Sequence, residues 1–502
     1  MALPVFRTKS IERSIQETDE PGHKLKRELS ALDLTVFGVG VIVGTGIFVL
    51  TGQQAARNAG PAIVISFLLA AVVCALAALC YAEFASTVPV AGSAYTFGYA
   101  TLGELVAWII GWDLVLELGL GAAVVARGWS AYLQTLFGLP TWLAGDDAIP
   151  DWGAIFIVAL LTVVGVVGTK LSGRVTGILV AIKVAVVLFV IGLGLFYITS
   201  DNWSPFVPPG QPAPGVSGGE EPLLQALLGV VPQQFGVFGI VAAASIVFFA
   251  YIGFDVVATT AEETRNPQRD VPRGILWSLG ICAVLYMAVA FVVTGMSKYS
   301  SLDTGAPLAK AFTDVGVDWA SKVISVGAVC GITTVILVLL LGQSRVLFAM
   351  SRDHLLPPAV ARVHPRFGTP WLITIGTGVL VALVSGFVPL SKLSELTSIG
   401  TLFAFVVVAI GVVVLRRTRP DLPRAFRTPW VPVLPIVAVI ACLWLMINLP
   451  VDTWIRFVVW MAIGFVLYFA YGMHAAGRRR AAEAEAEEPT AVSPAPEPHD
   501  RV

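Results

Sequence analysis

The chain has 502 residues, 56% of them hydrophobic and only 13% charged, with a formal net charge of −1 and a mean hydropathy of +0.82. Soluble domains carry about 25% charged residues, so a chain built for water throughout is excluded, and the near-zero charge gives no reason to expect nucleic acid as a partner. Apolar stretches recur from Leu32 to His474, each close to the ~20 residues that a bilayer core requires of a helix.

This pattern predicts an all-α polytopic membrane protein with twelve transmembrane helices embedded in the lipid bilayer. The polar segment 1–31 reads as an N-terminal tail, and nothing in it has the form of a cleavable signal. The first five spans are expected at 32–57, 62–88, 100–131, 152–169 and 175–199. The next five are expected at 238–262, 273–296, 317–350, 370–389 and 392–415, and the last two at 431–449 and 453–474. Their apolar character is all-round rather than confined to one stripe, as lipid-facing helices require. The segment 204–222, "SPFVPPGQPAPGVSGGEEP", reads as an irregular loop, and the charged, Pro/Ala-rich residues 477–502 as a disordered tail.

Charge placement sets the expected orientation. The loop 200–237 has no Lys or Arg, whereas "RRTRPDLPRAFR" at 416–427 has five Arg. Because the positive excess marks cytoplasmic loops, both termini are expected in the cytoplasm, with the protein in the cell (plasma) membrane. Cys74, Cys80, Cys282, Cys330 and Cys442 fall within spans without CxxC spacing and read as small buried hydrophobes. The five His lie in tails and loops, which removes histidine as an intramembrane proton relay. No metal or cofactor set is visible, and no nucleophile–base constellation, so the chain is not read as an enzyme.

The first span carries "VIVGTGIF" and the sixth "FFAYIGFDVVATTAEE". Each places glycine near mid-span, followed by a short polar residue, Thr45 or Asp255, and the two features lie about five helices apart. Interior glycine weakens a helix by about 1 kcal/mol relative to alanine. Transporters built from inverted repeats bind substrate at the midplane, between discontinuous helices in corresponding positions. At such a break the outer half-helix offers N–H groups and about half a positive charge, suited to a carboxylate. The inner half-helix offers carbonyls, suited to an ammonium. Gly40-x-x-x-Gly44 also matches a helix-packing face, so packing and binding both remain open from spacing alone.

Five segments together carry a family resemblance: "GVIVGTGIFVLTG" at 40–52, "YAEFASTVPVAGSAYTFGYATLGE" at 81–104, "WDLVLELGLGAAVVARGWSAYL" at 112–133, "FFAYIGFDVVATTAEETRNPQRDVPRGI" at 248–275 and "GQSRVLFAMSRDHLLP" at 342–357. The chain resembles the bacterial cationic amino acid transporter family of the amino acid–polyamine–organocation superfamily. The resemblance implies a leucine-transporter-type fold, a 5+5 inverted repeat spanning 32–415 with two further helices in 416–476. It also implies alternating access and proton-coupled uptake. Carried over, Val43, Gly44, Thr45 and Gly46 would meet the substrate carboxylate and part of its amino group. Phe249, Ala250 and Ile252 would supply carbonyls to the amino group, with the Phe249 ring as an aromatic gate and Gly253 as the unwound point. At "LEL", 116–118, relatives often carry an aromatic after the Glu, so the side-chain pocket departs from the family pattern.

Ionisable groups within spans are costly and mark functional candidates; Asp113, Glu117, Lys183 and Asp255 stand out. An ammonium in hydrocarbon is hard to keep charged, so Lys183 is placed to lose and regain a proton. By the resemblance it sits where sodium-coupled relatives hold a cation between the first and eighth helices, which a protonated ammonium would join through backbone carbonyls. A stem snorkelling to the cytoplasmic surface is the plainer alternative. Glu117 has three open roles: binding a cationic side chain, sharing a coupled proton, or pairing with Arg127, itself read as snorkelling near the external end of its helix. Asp255 is expected to cap the inner half of the sixth helix, with proton sensing as its second reading.

The expected function is proton-coupled symport of L-amino acids, cationic or small neutral. An exchanger, or a non-transporting membrane sensor binding the same ligand, is the alternative. Protons and the amino acid are the expected partners, and a small single-span accessory subunit is left open.

Overall fold

The computed structural model describes residues 28–87, 93–168, 173–213, 216 and 218–473. The expected N-terminal tail 1–31 and C-terminal tail 477–502 therefore lie almost wholly outside the described residues. The described chain is helical nearly throughout; its sheet pairs only Gln211–Pro212 with Gln233–Gln234, inside the long fifth-to-sixth connection. That connection also holds a short helix, Leu223–Leu228, just after the segment expected to be irregular at 204–222.

The first span begins at Ala31–Ile42 and resumes after a break with helical turns from Gly46 to Ala59. The second to fifth are Ile63–Thr87, Glu104–Phe137, Trp152–Val167 and Gly173–Gly194. The sixth runs through Gly236–Val247 and the tight turn Phe248–Tyr251, breaks, and continues as Val256–Glu263. Pro267–Met296, Asp318–Arg352, Trp371–Phe387 and Leu390–Thr418 follow, then Val433–Met446 and Val451–Leu467. All twelve expected spans are present, and the chain is a polytopic membrane protein. Among the described residues, eight apolar helical runs are long enough to cross a bilayer and four are shorter.

Boundaries moved where polar residues continue a helix. The seventh helix begins at Pro267, six residues before its apolar run, because proline is pre-organised for a first helical turn. The tenth continues to Thr418, so the expected division after 415 falls inside it.

Ser30 starts the first helix: its hydroxyl accepts from Asp33 N–H, and Asp33 Oδ2 accepts from Ser30 N–H at 2.9 Å. The third and eighth helices have 34 and 35 residues, about 50 Å each at 1.5 Å per residue, and pack along one another. Lipid provides no hydrophobic drive between helices, so close approach and hydrogen bonds hold them.

Two such contacts fix the frame around the break. Trp112 and Trp460 stack with ring centroids 4.4 Å apart, and each indole N–H donates to the other's carbonyl, at 2.9 and 3.2 Å. Trp108 donates to Gly464 O at 2.9 Å. The twelfth helix is thereby clamped to the third. At the end of the second helix, buried Glu83 takes two bonds from Arg416, at 2.8 and 2.7 Å, and one from Thr428 N–H at 2.7 Å. That node ties the second and tenth helices to the connection leading to the eleventh.

Candidate substrate site and coupling residues

Both expected breaks are present. Ile42 ends the first half-helix, Val43 is extended (φ −71°, ψ 97°), and helical geometry resumes at Thr45. In the sixth helix Ile252 is extended (φ −61°, ψ 139°) and Gly253 has φ +119°, a region glycine enters without the penalty a Cβ imposes.

Three glycines at the first break divide by what surrounds them. A Cβ on Gly40 would meet Val180 Cγ2 of the fifth helix at 2.4 Å, so Gly40 serves packing. On Gly44 it would lie 3.4 Å from Val335 Cγ2, an ordinary contact, so packing does not require glycine there. Gly46 is pressed on the sixth helix, with a Cβ only 2.3 Å from Ala250 Cα. Gly40 and Gly44 thus face different helices and do not form one packing stripe.

Gly44, Thr45, Gly46, Phe249, Ile252 and Glu117 line one cavity. Its volume is about 20 Å³, near that of a single water site, so the two breaks are closed on each other. Three expected residues do not line it. Val43 turns its carbonyl to Lys183, Ala250 is covered by Gly46, and Gly253 packs on Val41. Val41, Ile42, Gly121, Val125, Val335 and Leu339 complete the wall. Sequence reasoning missed these because apolar residues on apolar helices carry no contrast; only the smallness of Gly121 hinted at a wall.

The backbone at the first break is almost fully engaged on its carbonyl side. Gly40 O accepts from Lys183 Nζ at 2.6 Å and Ile42 O from Tyr286 Oη at 2.7 Å. Val43 O accepts from Lys183 Nζ at 3.4 Å, and Gly44 O from Ile47 and Phe48 N–H. The N–H groups of Gly44 and Thr45 have no acceptor among the described residues. Thr45 Oγ1 donates to Val125 O at 3.3 Å, fixing this end of the half-helix on the third helix.

Lys183 is fully buried, which overturns the snorkelling alternative. Its ammonium reaches the first helix through Gly40 O and Val43 O, and the eighth through Thr334 Oγ1 at 3.0 Å. The link to the eighth helix is therefore a hydroxyl, not the expected carbonyl. Gly331, one turn before Thr334, lets the fifth helix approach: a Cβ there would meet Lys183 Cβ at 2.9 Å.

Arg127 is also buried rather than snorkelling, and it does not pair with Glu117. It donates to the carbonyls of Ser385, Gly386, Asp146 and Ala148, tying the loop after the third helix to the end of the ninth. Asp255 occupies the cap position but makes no side-chain cap. Instead its Oδ1 accepts from Gly253 N–H at 3.2 Å, holding the unwound point in shape. In the loop preceding the fourth helix, burial pushes the Asp151 carboxyl up to about 6, against the hydrogen bonds from Ser130 and Ala154 N–H that favour its charge.

Beyond the breaks, at the end of the bundle that holds Arg57 and the 138–151 loop, lies an open polar cavity of about 440 Å³. Gln53 bridges its floor, donating to Asp146 Oδ2 at 2.8 Å and Thr304 O at 3.3 Å.

Comparison with known proteins agrees with this architecture. The amino acid permease family model matches residues 29–469. The chain is 44% identical over 479 residues to the methylthioribose transporter of Bacillus subtilis (strain 168), covering 93% of this chain and 97% of that one. It is 46% identical over 481 residues, with the same coverage, to the branched-chain amino acid permease BcaP of that organism. The vacuolar cationic amino acid transporter 4 of Arabidopsis thaliana is 40% identical over 408 residues, 80% of this chain and 65% of that one. A twelve-span membrane chain interrupted in its first and sixth helices, matched in this way over nearly its whole length, is a transporter rather than an enzyme, and it belongs to the amino acid permease family of the amino acid–polyamine–organocation superfamily.

Proposed function

We propose that the chain is a proton-coupled symporter that imports an L-amino acid across the cell membrane by alternating access, with both termini in the cytoplasm. The observation that carries this reading is the Lys183 bridge. A buried ammonium holds the first helix at its break and the eighth helix at Thr334. Deprotonation removes the charge and leaves a neutral amine, so the helix-to-helix hold weakens and the two are free to part. Proton occupancy and conformation are thereby linked.

The substrate's carboxylate is placed at the open N–H groups of Gly44 and Thr45, at the positive end of the outer half-helix. Its ammonium is placed at the sixth helix, near Phe249, Ala250 and Ile252. Val125, Val335 and Leu339 give the side-chain wall an apolar character, and Glu117 is its one charged lining group among the described residues. That wall favours small neutral side chains, with Glu117 the candidate contact for a cationic one. Relatives named for branched-chain and for cationic amino acids support the same range.

The test is flux in proteoliposomes holding the purified chain. Labelled amino acid should accumulate under an inward proton gradient and leave when a protonophore is added. Flux that needs internal amino acid and ignores the gradient identifies an exchanger, and binding without flux identifies a sensor.

A further inference from the structure

Beside the candidate site lies a second set of buried polar atoms without partners. Asp113, on the third helix, is fully buried, and neither carboxylate oxygen has a hydrogen-bond partner among the described residues. Glu117 Oε1, one turn along, is also unpartnered; so are Tyr81 Oη of the second helix, Gln343 Oε1 of the eighth and Ser398 Oγ of the tenth. Each of these residues is at most 2% exposed. The tenth helix closes over the acid at Gly400, where a Cβ would stand 2.9 Å from Asp113 Oδ1.

The groups facing this region are acids and a phenol. Tyr81 lies within electrostatic reach of Asp113, Glu117 and Asp255, and Glu117 within reach of the other two acids. Among the described residues no Lys or Arg forms a salt bridge with any of the three acids. Arg127, the one cation of the third helix, stands about 21 Å along it from Asp113 at 1.5 Å per residue and gives its donors to four carbonyls. A bare carboxylate in such a place, without donor or cation, costs far more than the neutral acid, and neighbouring acids cannot all be charged together.

We propose that Asp113 is a second proton-binding site of the transport cycle. In the closed conformation it is the neutral acid. When the third and tenth helices part at Gly400 and water enters, the O–H bond breaks, the proton passes to water and the carboxylate remains. Reclosing requires that a proton be taken up again. The proposal rests on the proton-coupled reading above, and it adds a separate proton to the one on Lys183.

The experiment measures the proton-to-amino-acid ratio of the full chain in proteoliposomes, from the substrate gradient that just halts net flux at an imposed pH difference. Asp113→Asn keeps the shape and cannot ionise. The ratio should fall by one, and the accumulation limit by about tenfold per pH unit of gradient, while exchange of labelled for unlabelled amino acid continues. A ratio equal to the wild-type value overturns the assignment. Asp113→Ser serves as a second neutral variant. If both neutral variants fail to fold while Asp113→Glu folds, Asp113 is a structural anion and the proposal is also overturned. Absence of gradient-driven uptake in the wild type would instead sink the coupling reading and this one with it.

Discussion

Replacing Lys183 by alanine isolates the bridge on which coupling depends. The ammonium makes two short bonds, to Gly40 O at 2.6 Å and Thr334 Oγ1 at 3.0 Å, and a longer one to Val43 O at 3.4 Å. Hydrogen bonds to a charged group contribute about 1.5–3 kcal/mol each, so the two short ones together bias the helices toward the bridged arrangement by at least about a hundredfold. Without them the first and eighth helices part whether or not a proton is present, so the Lys183 proton no longer drives transport. This differs from loss of a second proton at Asp113, which leaves the bridge intact and lowers the ratio only. Under a gradient of one pH unit, one coupled proton supports about tenfold accumulation. Lys183→Ala should therefore lose the tenfold accumulation per pH unit that this proton supports, while a thermal shift still reports binding. Accumulation in the variant that still follows external pH as in the wild type would refute the reasoning.

Three further outcomes follow from other contacts. Gly46→Leu should abolish substrate binding in the thermal-shift assay, because its Cβ would meet the Ala250 backbone at 2.3 Å and the two half-helices must separate; wild-type affinity would exclude this contact from the site. Arg416→Ala should lower stability by about 1.5–3 kcal/mol, the contribution of a charged hydrogen bond, because Arg424 at 3.4 Å and Thr428 N–H still hold the buried Glu83 charge; the readout is a drop in Tm in detergent. Asp151 should make stability fall as pH rises from about 4 to about 6: its folded value of about 6 lies above the ordinary aspartate range, so the folded chain holds the extra proton in that window. The effect is at most about 3 kcal/mol, and Asp151→Asn, which keeps the cap, should flatten the Tm-against-pH curve there.

Much of this architecture was legible because the bilayer imposes a length and a polarity on every span. Glycine stands out against that background, and so do intramembrane charges such as Lys183 and Asp113, where a polar residue needs a reason. What stayed hidden is what depends on neighbours. The sequence could not say that Gly40 packs on Val180 while Gly44 has room, since both are glycine at helical spacing. Nor could it say that Arg127 turns to four carbonyls rather than to Glu117, because carbonyls exist at every position and leave no mark in composition. Helix ends were misjudged for a related reason: Pro267–Arg273 and Arg416–Thr418 are polar yet helical, and polarity was the signal used to end a span.

The distribution of free backbone groups around the two breaks gives the site a direction. From Gly40 to Gly44, every carbonyl except that of Val41 has a donor, two of them supplied by Lys183. The N–H groups of Gly44 and Thr45 have no acceptor among the described residues. The first helix in this conformation therefore attracts an anion and has little left for a cation. At the sixth helix the situation is reversed: Phe249 O accepts from Ile252 N–H, Gly253 N–H is taken by Asp255, and the carbonyls of Ala250 and Ile252 have no donor among the described residues. A zwitterion would thus lie with its carboxylate toward the first break and its ammonium toward the sixth.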